Sequence, residues 1–71
     1  MPDEFIRVSV NGETRKIAAG QSVAALLGVL GVPVERVAIE LDRAIVRKRD
    51  WSSTLVGDGA QVEIVEFVGG G

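Results

Sequence analysis

The sequence predicts a two-layer α+β domain, one mixed sheet of about four to five strands covered on one face by a single main helix. Three observations carry this: stretches of period-two alternation, one stretch with helical spacing, and turn signals that tie strands into hairpins. With 71 residues there is room for one core and little else.

Residues 5–10, "FIRVSV", place Ile6, Val8 and Val10 on one face and Phe5, Arg7 and Ser9 on the other, the period of a half-buried strand. Asn11-Gly12 follows, the pair that best fills the two positive-φ positions of a type I′ turn, so "ETRKI" at 13–17 should return antiparallel. Ser22 is a helix N-cap, and Val23, Leu26, Leu27 and Leu30 then fall on one helical face. Gly31 suits the left-handed residue that ends a helix, with Val32 placed to pack back on Leu27 and Pro33 preventing continuation. Gly28 inside this helix costs about 1 kcal/mol relative to Ala, so the helix needs the sheet beneath it.

Alternation returns in "VAIEL" at 37–41, with Val37, Ile39 and Leu41 opposite Ala38 and Glu40. A turn at Asp42-Arg43 and a short strand "AIV" at 44–46 make a second hairpin; arginine is uncomfortable at positive φ, which argues for a turn other than type I′. The segment 47–59 is irregular, with a helical turn expected around Asp50 to Leu55 and Trp51 pinning the loop. The run "QVEIVEF" at 61–67 is a last strand, Val62 and Ile64 on one face, Val65 and Phe67 on the other. Two hairpins joined by a helix over a mixed sheet is the β-grasp, or ubiquitin-like, arrangement, with the last strand parallel to the first. Its bounds are 1–68, leaving 69–71 as a flexible glycine tail.

Composition removes most catalytic chemistries. Without Cys or His there is no thiol nucleophile, disulfide, usual zinc ligand set or imidazole base. The ten carboxylates are scattered on turns and outer strand faces, as solvated charges are, and no glycine-rich phosphate cradle is present. Net charge is -2, so sequence-independent attraction to nucleic acid is not expected; "RKR" at 47–49 reads as a solvated loop or, next, a contact with an acidic protein. The start "MPDEFIRVSV" lacks the basic and long apolar regions of a signal peptide, and a cytoplasmic protein without membrane contact is expected.

The last ten residues, "VEIVEFVGGG", carry the functional signal. If Val62 and Ile64 face the helix, Val65 and Phe67 lie on the open face, where Phe5 is also expected; with Val68 these would form an apolar patch beside the tail that a partner covers. The alternative is a bulge or early strand end that tucks Phe67 under the domain. Gly69, Gly70 and Gly71 have no Cβ, so they can thread a narrow channel and be recognised by backbone groups alone. Their terminal carboxylate is ionised at neutral pH and unreactive until activated. On residues alone, a frayed end is an equal reading of the same tail.

The stretches "VNGE", "AAGQSVAALL", "VAIELD", "AIVRKRDW" and "GDGAQVEIVEFVGGG" together resemble the sulfur-carrier proteins of thiazole formation in bacterial thiamine biosynthesis, over essentially the whole chain. The resemblance implies a ubiquitin-like fold and a protein co-substrate, not an enzyme. It implies that the Gly71 carboxylate is adenylated with MgATP by a ubiquitin-activating-like adenylyltransferase and converted to a thiocarboxylate by a sulfur donor system. Thiazole synthase would receive the sulfur, and the carrier itself would bind no cofactor and no metal. Two positions depart from the family pattern: Asp42-Arg43 where Asn-Gly is frequent, and Arg47 where many members have Pro. The alternatives are a carrier for molybdopterin or another thiolation pathway, a ubiquitin-like modifier, or a binding module.

Overall fold

A computed structural model describes residues 4–67. Five strands and one helix follow in the order β1 (Phe5–Val10), β2 (Glu13–Ala18), α1 (Val23–Leu30), β3 (Val37–Leu41), β4 (Ala44–Val46) and β5 (Gln61–Glu66), with 3₁₀ turns at Val34–Arg36 and Lys48–Asp50. The sheet order is β2-β1-β5-β3-β4. β5 therefore sits in the centre, parallel to β1 through Ser9↔Gln61 and Val10↔Val62, and antiparallel to β3 from Leu41↔Val62 to Val37↔Glu66. This is the β-grasp arrangement expected from the element order.

The alternation in the sequence becomes the division between core and surface. Val8, Val10, Ile39 and Val62 on the sheet meet Val23, Leu26 and Leu27 of α1, all buried. Removing these aliphatic side chains from water is the main stabilising term in a domain with no disulfide.

The helix is closed at both ends. The Ser22 hydroxyl accepts from Ala25 N–H at 3.1 Å, while Val23 and Ala24 donate to the carbonyls of Thr54 and Trp51. The loop after β4 thus satisfies N–H groups that a helix start leaves free. At the other end Gly31, at φ 70°, donates to Gly28 and Val32 donates to Leu27, the paired bonds of a Schellman ending.

Three expectations change. Asp42 and Arg43 both have positive φ, 51° and 73°, so the second hairpin does use I′-like geometry despite its arginine. Asp42 is clamped to β5, its N–H donating to Gln61 O at 2.7 Å and its Oδ1 accepting from Gln61 N–H at 2.8 Å, which holds the turn against the local strain. The helical turn in the irregular segment lies earlier than expected, at Lys48–Asp50. Finally, β5 ends at Glu66 and Phe67 follows it, tied by its N–H to Arg36 O at 2.7 Å. Trp51 does pin the loop: it is buried, and its Nε1–H donates to Val46 O at 2.8 Å.

Candidate functional site

Gly69, Gly70 and Gly71 follow β5 in the sequence, so the site is built from whatever fixes that strand. Strand parity directs the N–H and C=O groups of residues 63, 65 and 67 toward β3, and those of 62 and 64 toward β1. β1 is too short to reach the end of β5, because the chain turns away at Asn11-Gly12. The Asn11 side chain completes the ladder in its place: its Oδ1 accepts from Ile64 N–H at 2.7 Å and its Nδ2 donates to Ile64 O at 3.2 Å. Asn11 thus serves a second role that the turn signal does not disclose, since its contact lies 53 residues away. On the other flank Phe67 is held by Arg36, in the 3₁₀ turn between α1 and β3. β5 is consequently anchored from both sides up to the last described residue.

The apolar side chains expected near the tail separate into two groups. Val65 and Phe67 are exposed, at 51% and 56%, on the face of the sheet away from the helix, so Phe67 is not tucked beneath the domain. Ala38, across from Val65 on β3, lies beside them. Phe5 is exposed too, but it does not join this patch. The parallel register sets Ser9 level with Gln61, which puts Phe5 and Phe67 about 30 Å apart along the sheet at the usual rise per residue. The single patch expected from Phe5, Val65 and Phe67 is therefore corrected to Val65 and Phe67 alone; Phe5 instead stacks under Lys16, whose Nζ lies 4.8 Å from the ring centroid. Val68, Gly69, Gly70 and Gly71 lie outside the described residues.

The open face beside β5 also carries two carboxylates. Glu40 and Glu63 stand directly opposite each other on β3 and β5, a like-charge pair that opposes sheet stability. Among the described residues, no group of three or more His, Cys, Asp or Glu side chains is placed to hold a metal ion. An open concavity of about 470 Å³ lies between Asn11, Arg15, Leu30, Pro33 and Glu66 on the helix side of the sheet. No described helix is long and apolar enough to cross a membrane.

β5 is thus held in the sheet centre, carries the exposed pair Val65 and Phe67 at its end, and is followed in the sequence by Gly69, Gly70 and Gly71. Residues 8–71 match the ThiS family model. The chain belongs to the ThiS family. The crystal structure of a thiamine biosynthesis protein (ThiS) from Geobacter metallireducens superimposes with a TM-score of 0.83 at 33% identity, covering 93% of this chain and all of that one. The sulfur carrier protein ThiS of Escherichia coli is 29% identical over 66 residues, 93% of this chain and 100% of that protein. A thiazole synthase from Paramagnetospirillum magneticum is 44% identical over 66 residues, again 93% of this chain. This chain spans only 20% of the length of that synthase. A ThiS-family domain is there joined in one polypeptide to a much larger remainder.

Proposed function

We propose that this chain is the sulfur carrier of thiamine-thiazole formation in the cytoplasm, acting as a co-substrate. The Gly71 carboxylate attacks the α-phosphorus of MgATP in a ubiquitin-activating-like adenylyltransferase, releasing pyrophosphate. Sulfide, HS⁻, delivered by the donor system then attacks the acyl-adenylate carbonyl, the C–S bond forming as the C–O bond to AMP breaks, and AMP leaves with the original oxygen. The resulting thiocarboxylate is a far better nucleophile than a carboxylate, and thiazole synthase is its acceptor. Val65, Phe67 and Val68 form the surface by which partners hold the domain, while Gly69 and Gly70 thread the tail into the reacting site without side-chain obstruction.

The observation that carries the thiazole assignment is the relative from Paramagnetospirillum magneticum, a protein named thiazole synthase that contains a domain 44% identical to this chain. Covalent joining gives carrier and acceptor a high effective concentration, which is useful only if the two act on each other.

Intact mass spectrometry tests the proposal. The chain is incubated with its activating enzyme, MgATP and a sulfur donor, beside a variant lacking Gly71. The expected result is replacement of one oxygen by sulfur in the full-length chain only. An unchanged mass, with an activating enzyme competent on its own carrier, overturns it.

A further inference from the structure

β4 is the outer strand of the sheet on the β3 side, and its geometry leaves one residue open to a partner. A two-residue turn makes Leu41 and Ala44 a hydrogen-bonded pair, and alternation then bonds Val46 to Ile39. The intervening Ile45 directs its N–H and C=O away from β3, with no partner among the described residues. Its side chain is 73% exposed. An open strand edge is a template for another extended chain.

The same edge carries a concentration of positive charge. Arg43, Arg47, Lys48 and Arg49 are four of the eight cationic residues in a chain of net charge -2, and all are exposed. Among the described residues a single carboxylate approaches any of them, Asp50 at 3.9 Å from Arg49. The neighbouring Asp42 carboxylate is engaged by the Gln61 N–H. These cations also stand on a fixed frame. Trp51 is buried and bonded to Val46 O, Asp50 N–H donates to Arg47 O at 2.8 Å, and Asp50 O accepts from Ser53 Oγ at 3.2 Å and Thr54 Oγ1 at 2.7 Å.

We propose that the β4 edge is a docking site for an acidic, extended segment of a partner protein, which adds to the sheet at Ile45 and sets its carboxylates against Arg43, Arg47, Lys48 and Arg49. Charge complementarity selects this occupant. A second copy would bring the same four cations to the same edge, which repels self-pairing. A nucleic acid has no use for the Ile45 main-chain pair, and Trp51, the aromatic ring of this segment, is buried and cannot stack on bases. Ile45 shares the open face with Val65, across the strand that carries Ala38 and Glu40, so the partner's carboxylates must point to the cations beyond the ends of β4 and away from Glu40.

The test is a titration of the isotope-labelled full-length chain, followed by amide NMR, with an end-blocked hexapeptide alternating glutamate and valine. Single-stranded oligouridine and a lysine–valine hexapeptide serve as parallel probes. The expected result is shifts concentrated on 43–49 and slower exchange of the Ile45 amide with the glutamate peptide alone. Affinity should weaken at least about tenfold in the Arg47→Glu/Lys48→Glu variant, whose altered side chains are exposed and leave the fold intact. No shifts at millimolar peptide, shifts centred elsewhere, or an unchanged Ile45 exchange rate would each overturn the proposal. Equal shifts with oligouridine would overturn it in favour of nucleic acid. The sulfur-transfer assay is independent of every one of these outcomes.

Discussion

Asn11 shows how one side chain can do the work of a longer strand. Its backbone, at φ 51°, turns the hairpin while its N–H still donates to Val62 O at 2.9 Å; beyond that point the side-chain amide faces Ile64 and supplies both an acceptor and a donor. Asn11→Gly keeps the turn conformation and removes both bonds. The expected cost is about 1–2 kcal/mol in urea unfolding, with faster hydrogen exchange at the Ile64 amide than at Val8. Half of this residue's role is legible in the sequence, because Asn-Gly marks a turn by local conformational preference alone. The other half depends on which strand lies alongside, and no local pattern states that. Trp51 is the contrary case: one large aromatic in an irregular segment has few alternatives to packing inward, and it is buried.

At the scale of elements, the helix was the most fully readable part, cap to cap, since its limits are set by Ser22, Gly31 and Pro33 acting on neighbouring backbone groups. Its weak point is equally legible. Gly28 has helical conformation on an exposed face, and a Cβ added there would meet no atom within 4 Å. Gly28→Ala is therefore expected to stabilise the domain by about 0.5–1 kcal/mol, seen as a raised thermal midpoint with unchanged sulfur transfer. The second hairpin was less readable. Arginine disfavours positive φ by local sterics, yet the Asp42–Gln61 pair of hydrogen bonds outweighs that preference from outside the turn. The open apolar face was half readable: alternation assigns side chains to a face but says nothing of position along the neighbouring strand. Phe5 was thus assigned the correct face and the wrong end, because parallel register is fixed by the long connection between β1 and β5.

The whole molecule distributes its surface by task. The β5 end carries Val65 and Phe67, the sheet beside it carries Glu40 and Glu63, and the β4 edge carries the cations. Val65→Ser/Phe67→Ser should leave the domain folded at a cost of about 1–2 kcal/mol in unfolding, because each side chain is only about half exposed. The same variant should raise the carrier KM for its activating enzyme in pyrophosphate exchange; an unchanged KM would remove these side chains from the docking surface. The central position of β5 has a consequence for the order of events in the cell. A ribosome makes β1 to β4 first, as two hairpins and a helix that lack the strand joining them into one sheet. Until the final strand emerges and inserts between β1 and β3, nascent chains have no completed sheet to present. The segment that carries the glycines is synthesised directly after that insertion strand, so the strand that completes the sheet always precedes it.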